Sequence, residues 1–198
     1  MTQHISVDLE TLGNNPEALI LSIGAVKFDP DHGVIDEKFH AIIDLGKPGG
    51  GRIDLSTVLW WMKQPAEARD RLFVNPNPEL LMPLAHALVE FSEFIGFDDE
   101  LPDGECPDIM LWQRGSMDQQ WLTSAYEGLG LKLPFGFWQW SDQRTLCKYV
   151  PFQWPNRDGT HHDALDDAEY QAVCLCRAFE ALRNGVFPAD HLPATVEA

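Results

Sequence analysis

The chain reads as an α/β protein, a mixed central β-sheet flanked by α-helices, with one domain over residues 1–187 and a loosely attached tail over 188–198. Three observations predict this. Three strand-like apolar runs come first, helical runs follow, and one more buried run near residue 110 precedes further helix. The last long run places Leu165, Ala168, Ala172, Leu175, Phe179 and Leu182 at steps of 3, 4, 3, 4 and 3, which is one face of a helix. At 198 residues and 44% hydrophobic, the chain can bury a full core, and global disorder is excluded.

Taken in order, residues 3–8 form a short apolar strand ending in acid, and Ala18 to Phe28 a long, mostly buried one. Asp29-Pro30-Asp31-His32-Gly33 is dense turn chemistry, so Val34 to Ile43 returns as the second arm of an antiparallel hairpin. Ser56 is placed to cap a helix over TVLWWMKQ, Pro65 to open another, and Glu79 to Ile95 to form an amphipathic third. A polar loop over 98–107 leads to a strand at Asp108–Trp112 and a helix from Asp118 to Leu129. Gly128 to Trp140 reads as loop, and the last helix runs from Asp163 to Asn184, where Gly185 stops it.

The charge narrows the function. Fourteen Lys and Arg against 31 Asp and Glu leave −17, a mean field that repels duplex DNA and argues against a broad electrostatic wrap. The acidic N-terminus is unlike a signal peptide, and no run approaches the ~18 apolar residues of a membrane span, so no membrane partner is expected. Cys106, Cys147, Cys174 and Cys176 lack zinc-like pairing and fit reduced thiols, hence a cytoplasmic setting.

Three acidic sites stand at strand ends or helix starts. Asp8 and Glu10 are two apart at the end of the first strand, so both side chains leave on one face and repel unless a proton or cation separates them. Asp118 opens a helix after Arg114-Gly115-Ser116, where N-capping is the plainer explanation. The run His161-His162-Asp163-Ala164-Leu165-Asp166-Asp167 precedes the last helix, whose dipole favours acids. Converging at one sheet edge, these acids and a histidine are the inventory of metal-assisted phosphodiester hydrolysis, with hard Mg²⁺ or Mn²⁺ preferring such oxygen ligands.

At these residues the sequence resembles the His-type DEDD (DEDDh) 3′–5′ exonucleases, whose ribonuclease H-like fold is shared by proofreading exonucleases, oligoribonuclease and ribonuclease T. Asp8-Leu9-Glu10-Thr11 matches D-x-E-T, Asp118 in WQRGSMDQQWL supplies the second motif, and His162 to Asp167 matches H-x-A-L-x-D. The closer likeness is to a small subgroup of phage and bacterial exonucleases and exoribonucleases, through Leu19–Asp29 and the WWxxQ run Trp60-Trp61-Met62-Lys63-Gln64. The resemblance implies a 3′–5′ exonuclease that releases nucleoside monophosphates from single-stranded RNA or DNA with two divalent ions, Mg²⁺ or Mn²⁺. It implies that Asp8 bridges both ions, Glu10 and Asp167 complete one, Asp118 holds the other, and His162 is the general base. His161, Asp163 and Asp166 fall outside the motif and receive no role.

Further residues are candidates for substrate contact. Trp60 and Trp61 point about 100° apart on a helix, so one suits the core and the other a stacked base. Thr11 and Leu12 follow the first acids and suit the 3′-nucleotide pocket. Arg114, Arg144, Lys148 and Arg157 are the cations between the second and third motifs. The aromatic stretch 135–140 fits either terminal bases or a homodimer contact. Two other classes remain open: a non-catalytic acidic nucleic-acid mimic or binding protein, and a phosphatase with Asp8 as covalent nucleophile. The intact acid set argues against the first, and Glu10 in place of a second Asp against the other.

Overall fold

A computed structural model describes residues 2–47, 49–98, 102 and 105–186. The tail expected over 188–198 lies outside the described residues.

One six-stranded mixed sheet organises the chain. Its strands are β1 (Gln3–Thr11), β2 (Ile20–Asp29), β3 (Val34–Ile43), β4 (Leu81–Met82), β5 (Ile109–Gln113) and β6 (Trp140–Asp142), in the spatial order β4-β3-β2-β1-β5-β6. β1, β2 and β3 pair antiparallel, whereas β5 lies parallel to β1 and to β6. The helices are α1 (Leu55–Trp61), α2 (Ala66–Arg69), α3 (Leu84–Phe94), α4 (Met117–Gly128), α5 (Gln143–Tyr149) and α6 (Ala164–Arg183). A π-helical turn over Asp70–Val74 continues α2.

Strand periodicity sorts the two faces. Ile5, Val7 and Leu9 of β1 join Leu88 and Phe91 of α3 and Leu122 and Tyr126 of α4 in the larger core cluster. Val26, Phe28 and Trp112 pack on the other face against Ala168, Ala172 and Leu175, the stripe of α6. Asp8 and Glu10, one step out of phase with Val7 and Leu9, therefore face α6. That helix approaches closely because β2 carries Gly24, where a Cβ would stand 2.2 Å from the backbone of Ala164. No bulkier residue fits there without moving the start of α6.

The elements differ from expectation where they are short. The helix expected over Glu79 to Ile95 begins only at Leu84, after the two-residue β4 and Pro83, since proline suits a helix entry but not its interior. Within and after the presumed loop, a 3₁₀ turn at Phe137–Gln139 leads to β6 and α5, whose cap is Asp142, accepting from the Arg144 and Thr145 N–H groups. α1 starts at Leu55 behind Asp54, with Ser56 inside its first turn rather than capping it. No helix among the described residues is long and apolar enough to cross a membrane.

Candidate active site

β1 outruns its parallel neighbour. Its pairing with β5 ends at Ser6 opposite Trp112, while its pairing with β2 continues to Thr11 opposite Ile20. Leu9 N–H is thereby left without a β5 partner, and Asp118 Oδ1 on the first turn of α4 accepts it at 3.0 Å. Asp118 is thus turned to β1, with Ser116 at the N-cap position. From the other side, α6 brings Gln171 to Asp8, Nε2 donating to Oδ1 at 2.7 Å. Asp167 Oδ2 accepts the His162 N–H at 3.1 Å, and Arg157 meets the same carboxylate.

The structure thus brings together Asp8, Glu10, Asp118, His162 and Asp167, all lining one cleft of about 500 Å³. His162 Nδ1 lies 3.8 Å from Glu10 Oε1, and Glu10, His162 and Asp167 each offer a donor atom within 4.8 Å of the others. Arg114, Arg144 and Arg157 line the same cleft, and Lys148 does not. Thr11 and Trp60 line an adjoining cavity of about 320 Å³ that shares Leu9, Glu10 and Trp121 with the cleft. Leu12 lines neither; its N–H bonds Leu19 O, and its side chain packs beside Trp61. Trp61 is buried, its Nε1–H donating to Thr11 O at 2.9 Å, so the exposed indole beside the site is Trp60. Phe137 and Trp138 are exposed but line a separate cavity with Cys106 and Leu133, apart from the acids.

This geometry meets an independent match. Residues 3–179 fit the family model of the Rv2179c-like 3′–5′ exoribonuclease domain. The chain belongs to this family. It is a hydrolase family of nucleases, and the fold agrees. Escherichia coli Exonuclease I in complex with a dT13 oligonucleotide superposes with a TM-score of 0.59 at 16% identity, over 92% of this chain and 41% of that one. A zinc-bound form of that enzyme with single-stranded DNA gives 0.62 at 13% identity, over 93% and 41%. The nuclease domain of 3′hExo, a DEDDh member bound to rAMP, gives 0.58 at 18% identity, over 93% of each chain. The chain spans about two fifths of the Exonuclease I chains it matches. A search of curated protein sequences finds no match.

Three carboxylates of this cleft are held above their usual range. Burial holds Asp8 well above the usual carboxylate range, with Asp118 and Glu10 adding repulsion. Glu10 is pushed up to about 8 by burial, then by Asp118 and Asp163, with Arg157 opposing. Burial also pushes Asp118 up to about 7, against the bond from Leu9 N–H. The Glu10 carboxylate accepts no hydrogen bond among the described residues, its nearest cationic groups being His162 at 3.8 Å and Arg157, which leaves its oxygens free for a proton or a metal ion. Hard oxygen donors with unspent lone pairs fit a divalent ion, and the family uses divalent metals. His162 moves the other way, its basicity lowered by burial, His161 and Arg157.

Gln171, Arg71 and Gly24 join the candidate residues only in the structure. Gln171 had a signal, lying one helical turn after Asp167 on the same face. Arg71 had none, because its partners on α6, Asp163 and Asp166, are more than ninety positions away.

Proposed function

We propose that the protein is a 3′–5′ exonuclease of a single catalytic domain over residues 1–187, releasing nucleoside monophosphates from the 3′ end of single-stranded RNA. The observation that carries this is the gathering of four carboxylates and one weakly basic imidazole where β1 outruns β5. RNA is favoured over DNA because the matched family is an exoribonuclease domain.

Asp8, Glu10, Asp118 and Asp167 would hold two Mg²⁺ or Mn²⁺ ions. Bound there, such ions neutralise charge on the reacting phosphate and acidify water. The chain's own part is the rest. His162, kept neutral near pH 7 by its lowered basicity, is ready to accept a proton from the attacking water. The water oxygen bonds to phosphorus, the P–O3′ bond breaks, and the departing 3′-oxygen takes a proton from solvent, so the strand leaves with a free 3′-hydroxyl. Arg114 and Arg144, on the cleft wall, suit the phosphates flanking the scissile bond. Trp60 suits the terminal base, which rests in the cavity with Thr11.

The test is digestion of 3′- and 5′-labelled single-stranded RNA and DNA, and of the duplexes, with Mg²⁺ or Mn²⁺. Nucleoside monophosphates released from the 3′ end, faster on RNA and abolished by EDTA, are expected. Internal cleavage, or metal-independent release of inorganic phosphate from small monoesters, would overturn the reading.

A further inference from the structure

Next to the cleft, a second group of acids has no place in the reaction just described. Asp163 caps α6, accepting from Asp166 N–H. Its Oδ2 receives Arg71 NH1 at 2.9 Å, and Asp166 Oδ2 receives the same nitrogen at 3.2 Å. Asp166 Oδ2 also accepts Thr160 N–H at 2.7 Å, and Thr160 Oγ1 donates to Glu67, itself paired with Arg71. The two ends of the turn 160–163 are therefore tied to one guanidinium. Between them stands His162 at φ +64°, the one non-glycine residue with positive φ among those described.

That conformation costs a side-chain-bearing residue of order 1 kcal/mol or more and persists only where its surroundings impose it. Beside the local bond from His162 N–H to Asp167, contacts reach this turn from a different part of the chain. Arg71 lies in the π-helical turn, a widened geometry that often marks functional positions and turns Arg71 toward α6. The same segment's neighbour α1 sets Trp60 edge-on against the His162 ring, with centroids 4.7 Å apart.

We propose that Arg71 is a positioning residue for His162: by binding Asp163 and Asp166 at once, it holds the 160–163 turn, and with it the imidazole, over the acid cluster. Arg71 itself lines neither the cleft nor the adjoining cavity. The inference rests on the assignment of His162 as base. It gives work to Asp163 and Asp166, which stand beside the third motif and which the reaction leaves idle.

The experiment combines a kinetic cycle with amide exchange. Arg71→Ala should lower kcat by about 10- to 100-fold with KM changed less than about twofold, since a displaced base costs rate and not binding. In a His162→Ala background the same change should cost less than about twofold, because there is no base left to position. In the metal-free protein, Arg71→Ala should speed amide exchange across 159–166 while the β1–β2 ladder keeps its protection. Arg71→Lys keeps the charge but not the planar fork; it should fall between and serves as the same test should the alanine variant not fold. An equal loss of kcat in both backgrounds, or unchanged exchange at 159–166, overturns the proposal while leaving the base assignment standing. Wild-type kcat in His162→Ala alone removes the base assignment and the inference together.

Discussion

Two groups of carboxylates meet at the start of α6, where Asp166 and Asp167 are adjacent, and they differ in what balances their charge. Asp163, Asp166 and Glu67 share one arginine and several hydrogen bonds. Asp8, Glu10 and Asp118 are met mainly by an amide, a peptide N–H and the more distant Arg157, and all three are raised. On α6, Asp166 and Asp167 are adjacent and point about 100° apart, one into each group. A compensated group of acids is scaffold, whereas an uncompensated one stores unfavourable energy that a bound ion can release.

The sharpest way to break this contrast is to neutralise one acid from each group. Asp8→Asn or Asp167→Asn should reduce turnover by about 10³-fold or more, because the charge that holds the ions is gone. In metal-free protein Asp8→Asn should nevertheless raise the melting temperature, since it removes a buried repulsion. Asp163→Ala should lower it, losing the α6 cap at a cost of about 1 kcal/mol together with the Arg71 pair. Melting curves in EDTA decide the matter: two shifts of the same sign would mean the groups do not differ as described.

His162 and His161 offer a comparison one residue apart. His162→Ala should lower kcat by about 10²–10⁴-fold while leaving metal binding nearly intact. His161, exposed on the cleft rim, should lose far less. Single-turnover rates with Mn²⁺ would show it, and a larger loss at His161 would shift the third motif by one residue.

The pH dependence of stability sharpens the contrast further. A carboxylate whose folded pKa is raised adds stability below its unfolded value, near 4, and that contribution is lost as pH rises through the folded value. With Asp118 at about 7 and Glu10 at about 8, the metal-free protein should melt progressively lower from pH 5 to pH 8.5. His4, His40 and His162, all lowered by burial, act in the opposite sense only below 6.5, so the loss shows most clearly between pH 6.5 and 8.5. Added Mg²⁺ or Mn²⁺ should recover the loss, by about 2.7 kcal/mol at a hundredfold excess over Kd. A flat metal-free profile would mean that the acids are balanced from within.

How much of this the sequence discloses follows physical range. β1, β2, β3 and α6 are long enough for period 2 or 3.6 to show, and Asp8, Glu10 and Asp167 sit on them while Asp118 opens α4, so a candidate site could be gathered from the sequence. β4 and β6, with two and three residues, have no period to read and exist because neighbouring strands supply their partners. The Asp142 cap of α5 was legible as capping chemistry three residues before Thr145, yet the aromatic stretch beside it suggested loop. Arg71 is the extreme case, since only the fold makes its segment a neighbour of α6.

The tryptophan pair on α1 carries the contrast between scaffold and site to its smallest expected effect. Trp61 is 2% exposed and donates to Thr11 O, fixing α1 against the end of β1. Trp60 is 41% exposed, lines the cavity beside Glu10, and touches the His162 ring by its edge. Stacking on an aromatic ring contributes roughly 1–3 kcal/mol per base in single-strand binders. Trp60→Ala should therefore raise KM for a short single strand by about tenfold, near the lower end of that range, with a smaller change in kcat. Trp61→Phe, which keeps the bulk and deletes the Nε1–H bond, should leave KM unchanged and lower stability by about 1 kcal/mol. Steady-state kinetics on a labelled pentanucleotide, set beside melting curves of both variants, separates the two. Should Trp61→Phe raise KM while Trp60→Ala does not, the base would have to approach from the Trp61 side, and the cavity lined by Trp60 and Thr11 would not be where the 3′ nucleotide rests.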